Sequence, residues 1–407
     1  MRCRLGCWMV IPRWKAAVRP DRVPWCVPDL SGNEPGYLAQ AIAAGQAGPT
    51  GDFLARFEAG VAELAGVRYA VATCSGTAAL HIAFLLAGVR PGDEVIVPAW
   101  TFVATANAVR HAGGHPAALD IDPQYWQLDP DLVEDFLTRH CRLEGSRLTD
   151  PATGRGVAAV APVDLLGHPA DLDAIGAVAS RHGIAMVEDA AQGLGAACRG
   201  RPAGGSGLAA VSFNANKLIT AGSGGAILTN DQHTATRARY LINQARDNPV
   251  KYRHGEPAWN YRMTNLHAAV GCAQLDRAGQ LIAAKQRIHA RYVQELAGLD
   301  GLMFQQQAPW ATATRWLATI AINPHITGTT ASQVGACLAA DGIQTGPPWT
   351  PLHLTGAHHG CAPRPCPVAE QLGRDALHLP SSVTLTARQQ TRVITAVRVA
   401  IRQPARI

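Results

Sequence analysis

Of the four lysines in this chain, Lys15, Lys217, Lys251 and Lys285, one stands where an ammonium is hard to place. Lys217 follows an apolar run at 209–213. It precedes a glycine cluster, Gly222, Gly224 and Gly225, and a second apolar run at 226–228. The two runs read as buried strands, which puts the lysine on the turn between them. An unpaired buried ammonium is destabilising. One reason to keep it is chemistry, because a primary amine forms a Schiff base with pyridoxal phosphate or with a carbonyl substrate. The plain alternative is a lysine snorkelling to the surface from a strand end. The other three offer less. Lys15 lies in a segment of poor pattern, Lys251 in the polar stretch DNPVKYRHGEP, and Lys285 in the helical pattern LIAAKQRIHARY, where it reads as a solvated residue.

Two further features bear on this reading. Ser75-Gly76-Thr77-Ala78 reads as a turn into a helix. Exposed N–H groups, the helix dipole and a threonine hydroxyl there make a phosphate site, though the same residues serve equally as a simple N-cap. Asp189 ends the run IAMVED. Its carboxylate either pairs with a protonated pyridine nitrogen, keeping a cofactor ring an electron sink, or caps a helix starting at Ala190.

The elements that must position these residues follow from the apolar pattern. Short apolar strands at 69–73, 94–97, 117–121, 157–163 and 184–187 alternate with helices at 78–87, 101–111 and 170–182. That alternation predicts a parallel sheet covered on both faces, and ligands bind beyond the carboxyl ends of such strands. The three features fall at strand ends in the order phosphate cup, ring-nitrogen acid, lysine. A pyridoxal phosphate enzyme of the aspartate aminotransferase-like fold (fold type I) needs that order. The segment 138–156 is polar and reads as an excursion. A helical stretch at 265–296 reads as a link to a smaller C-terminal α+β domain with a strand at 316–320, a helix at 331–340 and a last helix from 386 to about 401. The expected organisation is an N-terminal extension at 1–26, a large domain at 27–275, and the linking helix with the small domain at 276–407.

Composition narrows the function class. The formal charge of +6 comes from scattered arginines without a dense run, which gives no reason to expect nucleic acid. Ten cysteines without CxxC pairs read as free thiols, with no metal site. No stretch is long and apolar enough to span a membrane, and the N-terminus is a poor signal peptide. A cytoplasmic enzyme is the expectation.

Seven motifs then carry a resemblance. They are GPTGDFLARFE (48–58), SGTAALHIAFLLAGVRPGDEVIVPAWTFVATANAV (75–109), VDLLGHPADLDAI (163–175), VEDAAQGLGA (187–196), SFNANKLITAGSGGAILTN (212–230), WNYRMTNLHAAVGCAQLDR (259–277) and PLHL (351–354). From about residue 27 onward the chain resembles the DegT/DnrJ/EryC1/StrS family of sugar aminotransferases. The resemblance implies pyridoxal 5'-phosphate bound to Lys217, which also moves the catalytic proton. It implies Asp189 on the pyridine nitrogen, Gln192 by the phenolic oxygen, and Phe102 stacked on the ring. Gly76, Thr77, Ala78 and Ser212 are expected at the phosphate. Asn260 is expected to reach the cofactor of a neighbouring subunit, in a homodimer with shared active sites. The implied reaction moves an amino group from glutamate or glutamine to a keto sugar. Ser223, where many members carry an acid, resembles the branch acting on nucleotide-linked 4-keto-6-deoxyhexoses. Trp349 and His353 are then substrate candidates, with Thr350 standing where that branch has lysine. A free keto-cyclitol is the alternative substrate. A sugar dehydratase would carry histidine at position 217, and a cofactor-binding regulator without turnover is the non-enzyme alternative.

Overall fold

The computed structural model describes residues 22–248 and 250–402. Strands His115–Leu119, Glu94–Pro98 and Arg155–Val160 pair in parallel, and Ala185–Met186 pairs with the last of them. A second sheet orders Tyr69–Thr73, Gly225–Thr229, Leu208–Ser212 and Glu188–Asp189. Leu208–Ser212 runs parallel to Glu188–Asp189, whereas Gly225–Thr229 is antiparallel to both its neighbours. A parallel bridge from Val163 to Asp189 joins the two sheets, so the large body is built on one continuous, mostly parallel surface. The strands are almost wholly apolar and buried, and helices such as Gly76–Leu86, Leu172–Arg181 and Gln232–Ile242 supply the cover they require.

Three details depart from the sequence reading. The 265–296 stretch is two helices, Asn265–Leu275 and Ala278–Leu296. The junction is pinned from outside: the Asp276 carboxylate accepts from Arg56 at 2.9 Å and from the Tyr37 hydroxyl at 2.8 Å, and Arg277 donates to Asp29 at 2.6 Å. The polar 138–156 segment is not a bare loop. It contains the antiparallel hairpin Arg142–Glu144 and Arg147–Asp150, which extends the sheet beside Arg155–Val160. The strand expected at 316–320 is Ala318–Ile322, because Trp316 and Leu317 join the large core instead.

The C-terminal part forms its own antiparallel sheet from Leu302–Phe304, Ala318–Ile322 and Ala376–Leu379. Ile288, Tyr292, Ile320, Val334, Leu338 and Val393 make a separate core there. Residues 1–21 of the expected extension lie outside the described residues, but 22–26 are packed. The Val23 N–H donates to Gly342 C=O at 3.0 Å, the Ser381 N–H donates to Trp25 C=O at 2.7 Å, and the Trp25 indole stacks on His378.

Lys285 is not solvated. It is 3 % exposed, and its ammonium donates to the carbonyls of Trp316 at 2.8 Å and Ser381 at 2.6 Å. It is the strut between the linking helix, the segment after Ala313 and the turn beyond Ala376–Leu379. Lys285→Met fills the volume but strands two buried carbonyls. Since a hydrogen bond to a charged group is worth about 1.5–3 kcal/mol, the unfolding free energy is expected to fall by about 2–4 kcal/mol. Urea denaturation checks this, and an unchanged midpoint would contradict the strut.

Candidate active site

The Gly76–Leu86 helix starts directly after strand Tyr69–Thr73. Its cap is Ser75, whose Oγ accepts the Ala78 N–H at 3.1 Å. The N–H groups of Gly76 and Thr77 have no acceptor within the helix, as at any helix start, and both residues line a cavity of about 430 Å³. Glycines make the approach there. A Cβ on Gly76 would lie 2.7 Å from Ser212 Cβ, and one on Gly225 would lie 2.5 Å from the Ser75 carbonyl oxygen. Side chains at these positions would push Leu208–Ser212 and Gly225–Thr229 away from the helix start.

Asp189 lines the same cavity and is 3 % exposed. One carboxylate oxygen accepts the Thr105 hydroxyl at 2.7 Å and the other accepts the Ala191 N–H at 3.1 Å. Burial pushes the Asp189 carboxyl above its ordinary range, while those two hydrogen bonds and the Lys217 charge pull it back. Behind it lies a second acid pair, Asp164 and Glu188, neither of them solvent-exposed. Glu188 accepts the Gly204 N–H at 2.6 Å. Burial and the neighbouring Glu188 charge push the Asp164 carboxyl well up, and burial raises Glu188 as well. Asp164 packs where a Cβ on Gly193 would sit, which fixes the 189–193 turn.

Gln192, on that turn, accepts the Leu166 N–H at 2.8 Å through Oε1, which leaves its NH2 group as a donor toward the cavity it lines. Lys217 sits on a turn closed by its own N–H to Asn214 C=O at 2.9 Å and by Ala221 N–H to Phe213 C=O at 2.9 Å. Its Nζ lies 4.1 Å from the centre of the Trp316 ring. Desolvation is the main effect on this amine. It brings Lys217 down to about 8 from an ordinary 10.5, against the opposing pull of Asp189 and Cys26.

Gly76, Thr77, Phe102, Asp189, Gln192, Ser212, Lys217 and Trp349 thus share one cavity. Three expected residues stand apart. Ala78 is buried and spends its N–H on Ser75. Asn260 is exposed, paired with Asn243, and does not line its own subunit's cavity. His353 faces Glu370, with Nε2 3.2 Å from a carboxylate oxygen, outside the cavity. Trp25, Thr105, Asn216 and Trp316 line the cavity without having been singled out for it. Thr105 had a signal, since it lies one helical turn beyond Phe102. Trp316 is about a hundred residues from Lys217, and only tertiary folding brings the two together.

Comparisons with known proteins agree on the family of the chain. The model of the DegT/DnrJ/EryC1/StrS aminotransferase family matches residues 29–398. A GDP-perosamine synthase of Caulobacter vibrioides is 36% identical over 378 residues, which is 92% of this chain and 97% of that one. A dTDP-3-amino-3,4,6-trideoxy-alpha-D-glucose transaminase of Streptomyces venezuelae is 36% identical over 353 residues, covering 86% and 87% of the two chains. The crystal structure of S. venezuelae DesV in complex with a ketimine intermediate superposes with a TM-score of 0.84 at 34% identity, covering 94% of this chain and all of that one. The chain belongs to the DegT/DnrJ/EryC1/StrS aminotransferase family.

Proposed function

We propose that this chain, by family a pyridoxal phosphate-dependent sugar aminotransferase, moves an amino group from glutamate or glutamine to a nucleotide-linked 4-keto-6-deoxyhexose. The observation that carries the reading is the single cavity in which a half-buried amine, a buried carboxylate and an open helix start meet. Relatives at 36% identity named for GDP- and dTDP-linked amino sugars support a nucleotide-linked substrate.

The residues fit the cofactor. The two glycines that admit no Cβ let Leu208–Ser212 and Gly225–Thr229 close on the helix start, which sets Ser212 beside the Gly76 and Thr77 N–H groups where a phosphate would bind. Pyridoxal phosphate, when bound, supplies an aldehyde for amine capture and a ring that takes up the electrons of a breaking C–H bond. The chain supplies the rest. Thr105 and Ala191 fix the Asp189 carboxylate, so it offers a set negative charge to a pyridine N–H. Gln192 would donate to the phenolic oxygen, and Phe102 and Trp349 would give aromatic walls. Lys217 Nζ is the amine that would hold the aldehyde and would carry the proton. Asn260, exposed on its own subunit, serves the partner's site in a homodimer, which we place in the cytoplasm.

The lowered Lys217 pKa has a direct consequence. Only the free amine attacks an aldehyde, and at pH 7.5 a lysine near 8 is roughly a quarter free base, against about one in a thousand for one at 10.5. Capture of pyridoxal phosphate by the apoprotein, followed by absorbance, is expected to speed up as pH rises through about 8 and to level off above it. A rate still climbing at pH 10 would contradict the assignment.

Substrate is tested by mass analysis of products from GDP-, dTDP- and UDP-linked keto sugars beside a free keto-cyclitol. An amine on a nucleotide-linked sugar is expected at C4. Turnover of the cyclitol alone would overturn the reading.

A further inference from the structure

We infer that Trp316 is a positioning residue for Lys217: its indole face is the resting place of the lysine amine whenever that amine is not bonded to a carbonyl carbon. This rests on the reading of Lys217 as the cofactor lysine and proton carrier.

The geometry is specific. The Lys217 Nζ lies 4.1 Å from the ring centre, and Trp316 is 4 % exposed. The ring is fixed at both ends. Its Nε1–H donates to the Asn216 carbonyl at 2.8 Å, on the residue just before Lys217. Its own carbonyl accepts the buried Lys285 ammonium at 2.8 Å, and that ammonium also holds Ser381. The turn bearing Lys217 and the wall it leans on are therefore tied by one hydrogen bond, and the wall is anchored to the small domain by another pair.

An indole face suits this task for an electrostatic reason. Its negative quadrupole attracts an ammonium from a wide range of directions and strengthens as water is removed. It does not accept the proton. A carboxylate at the same place would hold the charge tightly and slow the return of the amine to carbon. The charged and titratable groups around the amine are Asp189 on its strand and Cys26 on the N-terminal segment, with Lys285 on the far side of Trp316. Asp189 is already engaged by Thr105 and Ala191. The division of labour follows: the carboxylate is kept for the ring nitrogen, and the indole keeps the lysine.

The test uses the apoprotein first. Lys217 is labelled with acetic anhydride over a pH series and the modified peptide is quantified by mass. Trp316→Leu is expected to move the labelling midpoint down by about one pH unit, and Trp316→Phe by about half of that, because phenylalanine keeps a weaker face. In the reconstituted enzyme Trp316→Leu is expected to lower kcat about tenfold while the donor KM stays within about twofold, with Trp316→Phe recovering most of the loss. Should the leucine variant fail to fold, the phenylalanine variant carries the same comparison. Midpoints that coincide with the wild type, or that rise, would overturn the inference. If they do so while Lys217→Ala is inert, only the role of Trp316 falls. If Lys217→Ala still transfers amine, the reading beneath it falls as well.

Discussion

Lys217→Ala is expected to lose transamination by at least about 10⁴-fold, since it removes both the nucleophile and the proton carrier. The described residues offer no substitute. Lys285, which is buried, is spent on two carbonyls and does not line the cavity. Cofactor affinity should fall far less, because the helix start, Asp189 and Gln192 remain. The purified variant is therefore expected to take up pyridoxal phosphate yet to show no band of a lysine adduct. Steady-state assays with glutamate and a keto sugar, beside the absorbance spectrum, check both halves. Transfer within tenfold of the wild type would remove Lys217 from the chemistry.

The second large effect is at Asp189. Asparagine keeps the shape and accepts the Thr105 hydroxyl, but it carries no charge. Breaking a buried ion pair by removing one partner costs about 3–5 kcal/mol, which corresponds to a loss of about 10²–10⁴-fold in kcat/KM for Asp189→Asn. The carboxyl is pushed up by burial and pulled down by Thr105, Ala191 and Lys217, so its charge depends on these neighbours and on the ring N–H it meets. A loss smaller than tenfold would mean that the ring nitrogen does not rely on this carboxylate.

Much of this arrangement was legible because strand-and-helix alternation places its chemistry at strand ends. Asp189 closes a strand and Gly76 opens a helix, while Lys217 sits on the turn between two strands. Apolar runs report where such ends fall to within a few residues. What stayed hidden depends on contacts between distant segments. The split after Leu275 is set by Arg56, Tyr37 and Asp29, none of which the helical pattern of 265–296 contains. Lys285 looked solvated because one lysine in an amphipathic helix gives no hint that two carbonyls wait for it. The upward shift of the Asp164 and Glu188 carboxyls depends on both being buried, which no local pattern shows. His353 followed the motif but turned to Glu370, a residue seventeen positions later, on a helix that no local pattern aims at it.

The central claim is that one cavity holds an aldehyde cofactor on Lys217 and passes an amino group through it. The most direct measurement is the absorbance spectrum of the reconstituted protein, taken before a donor is added, after glutamate or glutamine, and again after a nucleotide-linked keto sugar. A band near the visible edge is expected at first, bleached by the donor and restored by the sugar. A protein that shows no band with pyridoxal phosphate present, or a band that no donor bleaches, would contradict the account.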